Sequence, residues 1–141
     1  MVHLSDYDIS WLQQRQPQML YNKDTRNWEG RFCFSLRYQN KEAITDDYYI
    51  RVDFSSNGEL PLVYDAGGKI ARQALLTGRK MIDMHLYSDG HLCMIHQNKL
   101  KEWYRGGFKL SKFVKHIETH LYWVSYVTKY GQEPWDAEPH G

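Results

Sequence analysis

Cysteine, net charge and long apolar runs are all scarce in this chain of 141 residues, and each scarcity excludes a class of protein. Two cysteines, Cys33 and Cys93, are too few for the disulfide framework of a small secreted domain, so both thiols are expected to be free. Eighteen Lys and Arg against seventeen Asp and Glu leave a formal charge of +1, with no field to draw nucleic acid or an anionic membrane. No apolar run approaches the roughly 18 residues of a membrane span, and no basic start leads into an apolar stretch. The expected location is therefore the cytoplasm, with no nucleic-acid or membrane partner. Internal repeats and low-complexity segments are missing too, and the length suits one domain over 1–141 with an extended tail at 131–141. What the chain has in excess is aromatic residues, 15% with eleven Tyr and five Trp. Composition alone leaves open whether they fill a core or form a partner-binding surface.

Ser5-Asp6-Tyr7-Asp8 has the form of a capped helix start, Ile9, Trp11 and Leu12 supply an apolar stripe, and Pro17 ends it. This predicts a helix over 6–16. In "NWEGRFCFSLRY" the residues Trp28, Phe32, Phe34, Leu36 and Tyr38 share one face, which predicts a half-buried strand with Cys33 on its polar side. "YYIRVDFSS" places Tyr48, Ile50, Val52 and Phe54 together as a second strand, paired antiparallel through a loop at 39–47. "ELPLVYDAGG" reads as a shorter third strand. Residues 69–82 show no clean period and are expected to form a long, irregular active-site loop. "QNKLKEWYRGG" reads as a polar loop carrying Trp103. The segment from Phe108 to Gly131 repeats apolar residues at spacings of three and four, which predicts a helix of about 20 residues capped by Gly131. Trp135 in the tail is expected to be pinned on the body. The order predicts an α+β fold: an N-terminal helix, an antiparallel meander of three to four strands, and a long second helix packed on the sheet.

The segment "MHLYSDGHLCMIH" carries the chemistry: Cys93 with His85, His91 and His96 around it. Four readings compete. A zinc site has the ligand types, but it lacks the usual paired spacings, and an extended chain puts only His91 and Cys93 on one face. A redox thiol needs a resolving partner, for which only the distant Cys33 is available. A buried cysteine behaves as a small hydrophobe. A nucleophile needs a thiolate, from a thiol of ordinary pKa about 8.5, and a positioned donor for the oxyanion formed on attack at a carbonyl. His85, eight residues before the cysteine and across a Ser-Asp-Gly turn, is the candidate donor.

Tyr87-Ser88-Asp89-Gly90-His91-Leu92-Cys93 resembles the active-site segment of ubiquitin-conjugating enzymes. There a His-Pro-Asn stretch precedes a Tyr-x-x-Gly turn and then x-Ile/Leu-Cys. Trp103, ten residues after the cysteine, and "FKLSKFVKHI", similar to the family's entry into its second helix, extend the likeness to roughly residues 5–130. His85 stands where the family has Asn, Asp83-Met84 replaces His-Pro, and the proline-rich stretch shrinks to Leu60-Pro61. These departures look like the bacterial branch, and Trp135, Glu138 and His140-Gly141 fit that branch's closing pattern. The resemblance implies a ubiquitin-conjugating-type fold and a transferase in bacterial anti-phage defence, working without a cofactor or metal. Cys93 would carry an acyl group as a thioester and pass it to a lysine amine. His85 would take the place of the Asn as oxyanion donor or base. Tyr87, Asp89, Gly90, Trp103 and His140 would support the site. The implied partners are an activating enzyme, a ubiquitin-like protein or a nucleotidyltransferase C-terminus as acyl donor, and target lysines. Two other classes stand beside it: a non-catalytic adaptor of the same fold that binds a ubiquitin-like partner, and a cysteine hydrolase using Cys93 with His140.

Overall fold

The computed structural model describes residues 2–58, 60–94 and 97–136, the side chains of Gln97 and Asn98 excepted. It is an α+β arrangement: a four-stranded antiparallel sheet in the order β1-β2-β3-β4, a simple meander, with four α-helices among the described residues. None of these helices is long and apolar enough to cross a membrane.

α1 spans Asp6–Arg15 and begins with a reciprocal cap, in which Ser5 Oγ accepts the Asp8 N–H and Asp8 Oδ2 accepts the Ser5 N–H. Its fully buried residue, Leu12, faces the core. β1, Met19–Asn22, lies outside the expectation because four residues show too little alternation to register as a strand. It pairs with β2, Asn27–Leu36, across a turn that Asn22 Oδ1 closes by accepting the N–H groups of Asp24 and Thr25. Gly30 sits opposite Met19 at φ 150°, where any Cβ would collide with the Gln18 carbonyl.

β2 and β3, Ile44–Asp53, pair over ten residues each. β3 starts four residues before the expected Tyr48 because the ladder continues through Ser35↔Thr45, whose hydroxyls bond at 2.8 Å, and Cys33↔Asp47. Of the expected inward set, Trp28, Phe32 and Phe34 on β2, Tyr48, Ile50 and Val52 on β3, and Phe54 just after it are buried, while Leu36 and Tyr38, the latter beyond the end of β2, are only partly so; Cys33 lies on the opposite face. β4, Leu62–Tyr64, completes the sheet.

Two expectations fail between β4 and the last helix. Residues 69–82 are not irregular throughout, since Lys69–Leu76 form α2. Ile70, Gln73 and Ala74 face inward at helical spacing, but Leu75 and Leu76 are more than four-fifths exposed, and those two outward leucines hid the period. Asp65 Oδ2 accepts the N–H of Ile70 at 2.9 Å and fixes the helix start. The expected polar loop at 97–107 likewise opens with α3, Gln97–Trp103.

α4, Leu110–Tyr130, runs 21 residues and ends where Gly131, at φ 71°, returns its N–H to the Val127 carbonyl. It is the fourth helix and not the second. Phe113, Val114, Ile117, Leu121, Val124 and Val127 form its buried stripe against the inward face of the sheet, with Phe54 and Phe113 in edge contact. Burying each such side chain contributes about 1.5–3 kcal/mol. One polar tie crosses this core: Tyr48 bonds Ser125 at 2.7 Å, Ser125 donates to Asp46 at 2.7 Å, and Lys69 donates to Asp46 at 2.6 Å. Burial opposes the Asp46 charge, yet the bonds from Lys69, Ser125 and the Asp47 N–H outweigh it and hold the carboxyl below the usual range. Trp135 is pinned as expected, stacked on Tyr122 at 5.7 Å with its carbonyl accepting the Trp123 indole N–H.

Candidate functional site

Cys93 is held at the end of a tight hairpin beside the sheet edge. Leu92 N–H reaches the Val63 carbonyl at 2.8 Å, and Asp65 N–H reaches the Gly90 carbonyl at 2.9 Å, so the segment is strapped to β4. Within the hairpin, Leu86 pairs with Leu92, Tyr87 N–H bonds the His91 carbonyl, and Gly90 N–H bonds the Tyr87 carbonyl. Gly90 closes the turn at φ 92°, a conformation that suits glycine. Asp89 Oδ1 accepts the His91 N–H and meets His91 Nδ1 at 2.5 Å; the backbone bond above all keeps its carboxyl below the ordinary range. His91 locks the turn with Asp89 and stacks on the Tyr87 ring at 4.3 Å.

The turn does fold His85 back beside Cys93, whose N–H donates to the His85 carbonyl at 2.8 Å. The backbone at His85 is left-handed, φ 56°, a conformation that costs a residue with a Cβ about 1 kcal/mol. Its imidazole is buried, edge-on to Trp123 at 5.0 Å and to His120 at 6.1 Å. The sulfur of Cys93 accepts a hydrogen bond from the Tyr87 hydroxyl at 3.3 Å. That bond is the main reason the Tyr87 phenol is pushed up to about 12, with burial adding to it.

Behind the sulfur lies a cavity of about 130 Å³. His85, Cys93 and Met94 form its hairpin side, Trp103 its α3 side and Trp135 its outer side. The floor is one face of α4, where His116, Thr119, His120 and Trp123 recur at spacings of three, one and three. Burial, reinforced by Lys112, lowers His116 to about 4, and its Nδ1 bonds the Tyr104 hydroxyl at 2.8 Å. Burial, with a smaller push from His85, lowers His120 to about 3, and its Nε2 is buried without a hydrogen-bond partner. Both rings are neutral at pH 7.

Of the residues expected to act, Cys93, His85, Tyr87, Asp89 and Gly90 are brought together by the hairpin, and Trp103 reaches the cavity from α3. His140, Glu138 and His96 lie outside the described residues. Cys33 and Cys93 are both free thiols, and Cys33 stands on the solvent face of β2 against Arg31 and Asp47. Among the described residues no three His, Cys, Asp or Glu side chains converge to hold a metal ion. The α4 residues His116, Thr119, His120 and Trp123 escaped the sequence reading; their spacing on one helical face was the signal. No family model matches the chain, and neither a curated protein nor a solved structure does.

Proposed function

We propose that the chain is a cysteine-dependent acyl transferase of the ubiquitin-conjugating type. Cys93 takes the C-terminal carboxyl of a protein donor from an activating enzyme: the thiolate attacks the donor's thioester carbonyl, a new carbon–sulfur bond forms, the old one breaks, and the activating enzyme's cysteine leaves as thiolate. A neutral lysine amine of the target then attacks the Cys93 thioester, an amide bond forms, the carbon–sulfur bond breaks, Cys93 departs as thiolate, and the proton lost by the amine passes to solvent. The donor is a ubiquitin-like protein or the C-terminus of a nucleotidyltransferase, and the setting is anti-phage defence in a bacterial cytoplasm. No cofactor takes part in either transfer.

The observation that carries this reading is the Tyr87 hydroxyl on the Cys93 sulfur at 3.3 Å, at the rim of an aromatic cavity. A hydroxyl at that distance supports negative charge on sulfur before Cys93 attacks and again as it leaves. A merely structural cysteine has no need of a hydroxyl donor or of open volume beside it. A first helix followed by an antiparallel meander, with a long helix after the cysteine hairpin, agrees with the order that the family resemblance implies, with α2 and α3 as additional elements on either side of the hairpin. His85 supports the reading from two sides, its carbonyl fixing the Cys93 backbone and its imidazole lining the cavity. Aminolysis of a thioester needs an oriented amine and little water, and so few catalytic groups suffice.

The test is one gel. With activating enzyme, ATP and donor, the wild-type chain is expected to form an adduct that reductant removes. Cys93→Ser converts it to an adduct that survives reductant, and Cys93→Ala gives none. Charging of Cys93→Ala at the wild-type level overturns the proposal, and donor binding with no adduct in any variant assigns the chain to the adaptor class instead.

A further inference from the structure

We infer that two copies of this chain associate through a self-complementary surface along α2, in which the leucine tip that ends the helix seats in the groove beside the helix start of the second copy. The inference stands apart from Cys93 and its chemistry. Leu75 and Leu76, 81% and 84% exposed, are the barest large apolar side chains among the described residues, and they are adjacent. Met81, also exposed, follows the turn after them. Isolated exposed apolar residues are ordinary, whereas contiguous ones mark contact sites. The other half of the surface lies at the start of the same helix. Cys33, Phe34, Ser35 and Thr45 line an open groove of about 510 Å³ between the end of β2 and the start of β3, and Asp46 and Asp47 complete it. Lys69, the first residue of α2, reaches Asp46 Oδ1 at 2.6 Å and the Asp47 carbonyl at 2.7 Å, so groove and helix start are joined. Leu76 comes two helical turns after Lys69 and therefore lies on the same flank of α2. Tip and groove thus share one side of the molecule, separated by the length of α2, about 12 Å. A two-fold axis across this flank sets each tip over the other copy's groove, the reciprocal pairing of an isologous dimer.

Charge selects the same occupant. Residues 66–82 carry Lys69, Arg72, Arg79 and Lys80 and no acid, while residues 42–47 carry Glu42, Asp46 and Asp47 and no base. Arg72 and Arg79 are held in place by the carbonyls of Gly67 and Gly131, at 2.8 and 3.2 Å. Among the described residues neither they nor Lys80 form an ion pair, whereas Arg15, Lys23, Arg31 and Lys69 each do. Asp47 pairs with Arg31 on the exposed surface, a contact that water screens and that a second cation joins at little cost. A leucine tip ringed by free cations therefore meets, on another copy, a groove with Cys33 and Phe34 in its wall and carboxylates beside them.

Sedimentation equilibrium of the full chain from about 1 to about 300 μM tests this, a span that covers the weak end of specific protein contacts. The wild-type chain is expected to pass from monomer to dimer and to stop there, since an isologous contact closes on itself. Raising salt from about 0.05 to about 0.5 M is expected to weaken the dimer roughly tenfold. Leu76→Asp, at a position open to solvent, is expected to keep the thermal midpoint and to weaken the dimer about a hundredfold or more, because one leucine leaves each half of the contact. Lys80→Glu and Asp47→Lys are each expected to be monomeric alone, where like charges meet twice, and to dimerise when mixed, where both contacts pair opposite charges. Alkylation of Cys33 by N-ethylmaleimide, read by peptide mass, is expected to slow as the wild-type concentration rises and to stay constant in Leu76→Asp. A wild-type chain that is monomeric over the whole range overturns the inference. So does a dimer that Leu76→Asp leaves intact, a dimer in which Cys33 reacts at the monomer's rate, or a mixture of the two charge variants no tighter than either alone.

Discussion

Between β2, β3 and α4 the contacts are those of large apolar side chains without solvent exposure, among them Phe32, Tyr48, Ile50, Phe113 and Ile117. Between residues 85 and 93 the chain is held instead by backbone hydrogen bonds, a carboxylate–imidazole pair and two residues in the left-handed region, His85 and Gly90. The first region decides whether the chain folds. The second decides which atoms stand around the Cys93 sulfur. Substitutions in the two regions should therefore separate stability from activity, and the largest contrast comes from the deepest core position. Phe32→Ala empties a fully buried ring site and is expected to cost about 3–5 kcal/mol in denaturant unfolding. Cys93→Ala is expected to cost under about 1.5 kcal/mol by the same measurement while abolishing acyl transfer. A core variant and a hairpin variant with equal stability losses would break the contrast.

The two regions meet along α4, whose buried stripe faces the sheet while His116 and His120 face the cavity. This meeting has a pH signature. Burial depresses His116 to about 4 and His120 to about 3, below the ordinary value of 6.5, so the unfolded chain binds protons that the folded chain refuses. Stability from these rings is fully present above pH 6.5 and is lost as pH falls from there through about 4 for His116 and about 3 for His120. For the more deeply buried His120 the loss is on the order of a few kcal/mol, and the more accessible His116 adds a smaller part. His120→Gln should flatten the decline in denaturant midpoint between pH 6.5 and pH 4. An unchanged slope removes His120 as its source.

How far each region was legible in the sequence follows the same division. Strands β2 and β3 and helix α4 announce themselves because apolar residues recur at periods of two and 3.6 over ten residues or more. β1 is too short for any period, and α2 turns Leu75 and Leu76 outward, which blurs the one it has. In the hairpin, the Tyr-x-x-Gly turn and Cys93 were legible because turn chemistry is local. The Tyr87 hydroxyl as the partner of sulfur was not legible, since it depends on the closing of the Leu86–Leu92 pair. The α4 floor of the cavity was visible as spacing but not as a site, because only tertiary packing brings it to Cys93.

Within the hairpin the contrast sharpens to single groups. Tyr87→Phe removes the hydroxyl bonded to the sulfur and keeps the ring that stacks on His91. Acyl transfer is expected to slow about tenfold, one weak donor's share, with little change in thermal midpoint. If transfer by the Phe variant matches wild type while Cys93→Ala is dead, the carrier role stands and the hydroxyl has no part in it.

The smallest effect is the most discriminating, because His85 serves through two separable groups. Its carbonyl accepts the Cys93 N–H, a bond that any residue keeps, while its imidazole belongs to histidine alone. Ala and Gly variants both delete the ring, but only glycine adopts φ 56° without strain, so His85→Gly should be more stable than His85→Ala by up to about 1 kcal/mol. If the imidazole acts in transfer, both variants charge normally and release the acyl group to lysine at the same reduced rate, despite their different stabilities. If residue 85 acts only by holding the backbone of Cys93, glycine transfers at the wild-type rate and alanine falls behind in step with its strain. Single-turnover discharge of the charged variants to free lysine, measured beside their unfolding curves, distinguishes a catalytic ring from a positioning carbonyl.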